Sequence, residues 1–540
     1  MSQVTQSQTE LSYARKASGL VRGLSFTDAF GISFVTIQPI WSIWYCILIG
    51  AGLYLGANLI ITVVICAVTC GIFGPMVWGI LSGSMPRAGG EYLYNSRIIH
   101  PIIAIGASFG QVVAVTYWNF VLTTWVASPA LAMLAQYMGW AGMERFVTSN
   151  VGLFVIAAVT SVAVFLSVAF GMGVFKRIQW PMTAVGLLGP VVLAIAITTC
   201  SKHSFISYWN AAAAKYGSLD YHKFVAAAGS AAGSAMPSTW NWPDTLGAMA
   251  GVFALFIYAY AMVYVAGEIK RPSRTMLTAQ WASMAVPVAL AIWTFVAFYR
   301  LVDFNFFAAA AYNDVSGGVK GYTMPYSSSY FTLSWIASHQ SWIVAWAAAL
   351  AFMFTSFWSS AVNLLIVTRS TFAWGMDRIG PRWFTDINPR WASPIKLYAF
   401  FTIITIIGTG LYQLVWQSQL GGLTGSGMQM VSTFGITALS AILFAYRKRC
   451  RNIWESSPYR AWNILGIPLI TIAGCVYFGF ICVLLYFAFF DVRTRDVTGK
   501  NLIVFAVVWI AGISWYFVWR RLNRETGIDM TLAFAELPPE

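Results

Sequence analysis

Charge is scarce in this sequence. Asp, Glu, Lys and Arg make up 9% of its 540 residues, against roughly 25% in a soluble domain. So little charge cannot cover a water-facing surface, and a hydrophobic share of 59% points to lipid as the solvent instead. Histidine is scarcer still: His100, His203, His222 and His339 lie far apart and form no cluster on which a membrane enzyme would be built. The seven cysteines are scattered, with no CxxC spacing and no Cys/His group, which argues against a metal site and a disulfide framework. No GxxxxGK[ST] loop is present, so an ATP-driven pump has no support. No long basic block tracks a phosphate backbone, so the net charge of +14 does not indicate nucleic acid. The first 23 residues hold no apolar core of a signal peptide and read as a short cytoplasmic tail.

Long apolar runs are abundant. A membrane span needs about 20 mainly apolar residues in series. Twelve candidates fall near 26–50, 57–82, 102–138, 151–172, 181–200, 246–266, 279–300, 343–368, 397–416, 428–446, 463–489 and 501–519. The third is long enough to be one tilted helix or a span plus a surface segment. With the N-terminus inside, 23 of the 32 Lys and Arg fall in cytoplasmic segments and 9 outside. That bias predicts an all-α, multi-pass protein of the cell membrane, in contact with lipid and with both termini cytoplasmic. The expected order is a tail (1–25), five spans (26–200), an outer loop (201–245), five more spans (246–446), two further spans (447–519) and a tail (520–540). The outer segments 201–245 and 301–342 read as lids or disordered stretches rather than separate domains.

Two spans carry signs of irregular backbone. Span 1 reads FTDAFGISFVTIQPIWSIWYC, and Pro39 is expected to open the helix near Val35–Gln38. Span 6 holds Phe256, Ile257, Tyr258, Ala259 and Tyr260 at mid-helix depth, where buried hydroxyls need partners. Spans 1 and 6 each open a set of five, and five is odd, so the second set enters the membrane inverted. Interrupted helices at corresponding places in two halves point to a transporter's binding site.

Three loops carry a resemblance. SMPRAGGEYLYNSR (84–97) is similar to the Pro-x-Ala-Gly-Gly-x-Tyr signature of amino acid permeases of the amino acid–polyamine–organocation superfamily, through Pro86, Ala88, Gly89, Gly90 and Tyr92. GEIKRPSR (267–274) resembles the family's Glu-x-Lys-x-Pro-x-Arg segment. RSTFAWGMDRIGPRWFTDINPRWASP (369–394) resembles its loop after span 8, with Asp377 and Arg378 in exchanged order. The resemblance covers spans 1–10. It implies the LeuT-type fold of two inverted five-helix repeats, and a secondary transporter of amino acids or related small organic solutes. The solute would sit between broken spans 1 and 6, with help from spans 3, 8 and 10. Candidate contacts are Thr36, Gln38, Phe256, Tyr258, Ala259 and Tyr260, with Asn119 from span 3. Arg87, Gly89, Gly90 and Glu268 are candidates for a cytoplasmic gate, with Glu268 pairing to Arg87 or Arg97.

The sequence departs from the family where substrate would bind. Span 1 lacks the glycine triplet whose amides take a carboxylate, and span 6 lacks its glycine, with Ala259 the nearest small residue. A tighter, more aromatic pocket is expected. No span centre holds Asp, Glu, Lys, Arg or His, which argues against a buried proton relay, although Asp28, Glu91 or Glu268 remain near the cytoplasmic edge. Thr355, Ser356, Ser359 and Ser360 lie where sodium-coupled relatives place hydroxyls, so Na+ is a candidate coupling ion beside uncoupled exchange; no cofactor is expected. A polyamine or organocation carrier is the alternative. A non-transporting nutrient receptor would need a large signalling tail, and both tails are short.

Overall fold

The computed structural model describes residues 22–415, 426–494, 499–527, 530–534 and 537. Among them, eleven helices are long and apolar enough to cross a membrane: α1 (Phe26–Ala51), α2 (Leu59–Ser84), α3 (Pro101–Met138), α4 (Asn150–Ala169), α5 (Met172–Thr199), α6 (Trp242–Glu268), α7 (Pro272–Leu301), α8 (Trp342–Met376), α9 (Ile395–Val415), α11 (Leu469–Phe490) and α12 (Gly499–Glu525). The twelfth, α10 (Ser426–Leu443), reaches span length together with Lys448–Glu455 across a 79° bend. The protein is an all-α polytopic membrane protein.

Burial sorts the helices into a centre and a rim. The apolar windows of α1, α6 and α8 are 78%, 83% and 78% buried by protein, whereas that of α12 is 11% buried. Exposed Ile503, Val507 and Ile510 on α12, and Val151, Val155, Val159 and Val162 on α4, form apolar faces that water would not tolerate at this extent. They are the lipid-facing surface.

Several boundaries differ from the hydropathy reading. Helix α8 runs eight residues beyond 368, to Met376, so Arg369 lies inside the helix and fully buried rather than in a loop. Helix α5 begins at Met172, not 181, and α7 at Pro272, not 279, because amphipathic turns extend helices past the apolar run. Residues 463–468 are not helix. Strands β1 (Asn463–Ile464) and β2 (Ile467–Pro468) pair antiparallel around Leu465 and Gly466, both at positive φ (52° and 81°), before α11 starts. Helix α3 is continuous to Trp125, turns irregular at Ser128 (φ −137°, ψ 122°), and resumes to Met138.

Segments 201–245 and 301–342 are folded into helices rather than disordered. They supply helices Lys202–Lys215, Tyr221–Ala231, Phe304–Ser316 and Tyr330–Ala337. Tyr221 stacks on Phe306 at 4.1 Å, and Trp209 meets Phe306 edge-on at 5.0 Å. Lys202 pairs with Asp303 at 2.5 Å. This shared aromatic core was invisible loop by loop, since each half supplies only one side of it. Trp44 of α1 donates to Asp314 at 2.8 Å, fixing the cap to the bundle.

Candidate functional site

The centre of the molecule is built from two broken helices. In α1, Gln38 takes the left-handed conformation (φ 50°, ψ 74°) between Phe26–Ile37 and Pro39–Tyr45. The cause is local: a residue before proline avoids the helical region, and Pro39 then opens the second half at a position where no N–H is needed. In α6, regular helix ends at Val252. A 3-10 turn (Phe253–Leu255), a turn through Phe256–Tyr258, and a 3-10 stretch (Ala259–Glu268) follow. No proline or glycine enforces this second break. A serine of α1 holds it: Ser33 Oγ donates to Ala259 O at 2.8 Å, while Ser42 Oγ donates to Ile37 O at 2.5 Å and lies 3.2 Å from Ala254 O. A carbonyl freed at membrane depth thus finds a partner on the neighbouring helix.

A small cavity lies at these breaks. Thr36, Gln38, Trp41, Tyr258, Ser359 and Asn363 line it, with Trp118, Leu122 and Trp125 of α3. Its free volume is about 10 Å³, room for about one water. Four rings pack as a layer against it: Trp41 lies 6.3 Å from Trp118, 5.7 Å from Trp125 and 6.5 Å from Tyr258. On the other side of that layer opens a vestibule of about 480 Å³, walled by Ile257, Met428, Met430 and Leu484. Arg493 and Thr494, in the segment after α11, line it as well. Trp41, Trp118 and Tyr258 border both spaces, so they separate them. Two amide oxygens on the cavity wall, Gln38 Oε1 and Asn363 Oδ1, are buried without a hydrogen-bond partner.

The expected contacts therefore divide. Thr36, Gln38 and Tyr258 line the cavity. The Phe256 ring packs against Gly71 of α2. Ala259 contributes its carbonyl to Ser33. Tyr260 stacks on Trp78 at 4.9 Å and accepts from Gln111 at 2.8 Å. Asn119 accepts from Ser360 at 3.2 Å beside the cavity wall. Of the candidate cation-site hydroxyls, Thr355 donates to its own helix at Ala351 O (2.6 Å), Ser359 to Val35 O on α1 (2.9 Å), and Ser356 Oγ is buried without a partner. The residues the sequence reading missed are Trp41, Trp118, Leu122, Trp125 and Asn363. A signal existed for three of them: 118, 122 and 125 fall on one face of α3 at i, i+4 and i+7.

The opposite end, where both described termini lie, is shut. Arg97 grips Asp377 with two bonds of 2.5 and 2.7 Å, and Tyr92 donates to the same carboxylate at 2.8 Å. Arg369 donates to Glu268 at 2.8 Å and to Tyr398 at 2.9 Å. Both ion pairs are at most 3% exposed. The expected partner of Glu268 was Arg87 or Arg97; it is Arg369, which the longer α8 carries inward. Arg87 donates to the Pro86 carbonyl at 3.0 Å. Gly89 and Gly90, at φ 111° and 55°, form a tight turn, and a side chain on either would collide with Ala373 or Tyr264. The start of the described chain straps over this end, Gly23 and Leu24 both donating to Glu268 O at 2.9 Å.

A family model described as amino acid permease matches residues 23–515. No curated protein matches the chain.

Proposed function

Because the chain belongs to the amino acid permease family, whose members move amino acids or related solutes across membranes, we propose that it is a secondary transporter working by alternating access, with the solute held where α1 and α6 are broken. The observation that carries this reading is the asymmetry of the path. A vestibule reaches the aromatic layer from one end, and two buried ion pairs close the other.

The cavity's chemistry favours an ammonium group. Four aromatic rings line the cavity, and an aromatic π-face attracts a desolvated cation by about 2 kcal/mol in favourable cases. The partnerless oxygens of Gln38 and Asn363 accept hydrogen bonds from it. A carboxylate meets fewer donors than a helix start usually offers, since Pro39 has no N–H. Rocking α1 and α6 against α3 and α8 would open the terminal end as the aromatic layer closes the vestibule. We place both termini in the cytoplasm on the charge bias. For sodium, the oxygens of Ser356, Ser359 and Val35 are the ones that would hold the ion between α8 and α1; all are neutral and suit a hard cation.

Uptake into proteoliposomes tests the reading, with a panel of labelled amino acids and amines and an imposed sodium gradient. The expected result is saturable uptake of at least one amino acid, competed by its amine analogue. Absence of uptake and exchange for the whole panel overturns the transporter reading. Indifference to sodium removes the proposed cation site alone.

A further inference from the structure

Besides the ion-paired acids, the closed end holds a buried acid that has no cation. Glu91 opens the helix Glu91–Ile98, directly after the Gly89–Gly90 turn. It is fully buried, and neither carboxylate oxygen completes a hydrogen bond. Its polar neighbours are the hydroxyls of Tyr264 on α6 and Ser108 on α3. The Tyr264 hydroxyl completes no hydrogen bond either, and Ser108 accepts from Trp374 of α8 at 3.1 Å.

The charged groups of the surrounding elements are committed elsewhere. On its own helix, Arg97 and Tyr92 serve Asp377, and Tyr94 is a neutral phenol. From α6 come Tyr260 and Tyr264, with Glu268 bound to Arg369 of α8. Helix α10 meets this segment through Thr437 and Ser440 at Asn95 and has no titratable residue. The segment after it offers Cys450, whose thiol donates to Arg97 O at 3.2 Å, while Lys448 and Arg449 are exposed. An ionised carboxylate buried without a partner is costly, so the group takes up a proton instead.

Glu91 is also tied to a moving part. Gly89 N–H donates to Tyr264 O at 3.3 Å, and Gly90 packs on the Tyr264 ring with no room for a side chain. Tyr264 belongs to the 3-10 stretch of α6 that begins at the broken centre and ends at the Glu268–Arg369 pair. Any opening at this end that draws α6 from the Gly89–Gly90 turn admits water to Glu91.

We propose that Glu91 is a proton-binding site: it holds a proton while the terminal end is closed and releases it to the water that enters on opening, so that acid on that face keeps the gate shut. Burial pushes its carboxyl up to about 7, close to the working pH of a cell. The sign follows. A site that binds its proton more tightly in the closed state favours closure at low pH. Between the lower value of the water-exposed group and this closed-state value, each rise of one pH unit disfavours closure by up to about tenfold in population, and above the closed-state value the shift is complete. What the gate does within a cycle rests on the transport reading; the proton site does not.

The test is a pH-difference infrared titration of the purified full chain in lipid, followed by counterflow of the best substrate. The expected infrared result is a buried carboxylic-acid band that fades with a midpoint near 7 and is missing in E91Q. Tyr264→Phe removes a hydroxyl that favours the ionised form, so it keeps the band and raises its midpoint. In counterflow, acid on the terminal face slows the wild type, and E91Q is slow at every pH. A band unchanged in E91Q, or an E91Q counterflow profile matching the wild type, overturns the proposal. A titrating Glu91 band in a chain that moves no solute sinks the transport reading and leaves the proton site standing.

Discussion

Single residues set the chemistry at both ends of the path. Trp41 and Tyr258 face the cavity and the vestibule together, so their rings are expected to meet the solute in either state. Replacing Tyr258 with Leu should weaken apparent affinity about tenfold, in line with the loss of one desolvated cation–π contact, while Phe should retain most of it. Competition binding checks this, and equal affinities for Leu and Phe variants would remove the ring from recognition. Arg369 and Glu268 make a harder prediction. Arg369→Met leaves a buried carboxylate without its cation and should destabilise the closed state by about 3–5 kcal/mol, whereas the double change Arg369→Met with Glu268→Leu should recover much of that loss. Thermal unfolding in detergent reads both. None of this pairing was legible beforehand. Hydropathy falls at 368, so Arg369 read as a loop cation, and only the continued helix brings it to Glu268.

Among the helices, the two breaks have different origins, and that difference explains what the sequence could reveal. Pro39 announces the break in α1 by its own stereochemistry. The break in α6 has no residue of its own to announce it, because Ser33 of α1 takes the opened Ala259 carbonyl from outside. Its place could be read only from its correspondence with span 1. Pro39→Ala should release the restriction on Gln38, whose left-handed backbone costs about 1 kcal/mol or more relative to a helical one. The expected outcome is a straighter α1 and slower counterflow without loss of thermal stability; unchanged counterflow would detach the α1 break from transport. The helices within 202–231 and 304–337 were missed for a related reason. Phe205, Trp209, Tyr221, Phe224 and Phe306 come from two segments separated by α6 and α7, and neither segment patterns as a core alone.

For the whole molecule, span number and membrane class were written in composition, because lipid leaves few alternatives to long apolar helices. The layered centre was less legible, since burial rather than hydropathy distinguishes it: α4 is among the most apolar helices and only 39% buried, while α6 is 83% buried. The central claim is that the two ends open in turn. Distances between spin labels measure this directly. Exposed Cys475 and Cys482 would first be replaced by serine, and labels placed at Lys270 and Arg382 on the terminal end and at Trp140 and Trp242 on the vestibule end. With substrate and lipid present, the account predicts a population in which the terminal pair is farther apart and the vestibule pair closer together. Both distances fixed at their substrate-free values during measurable uptake would contradict it.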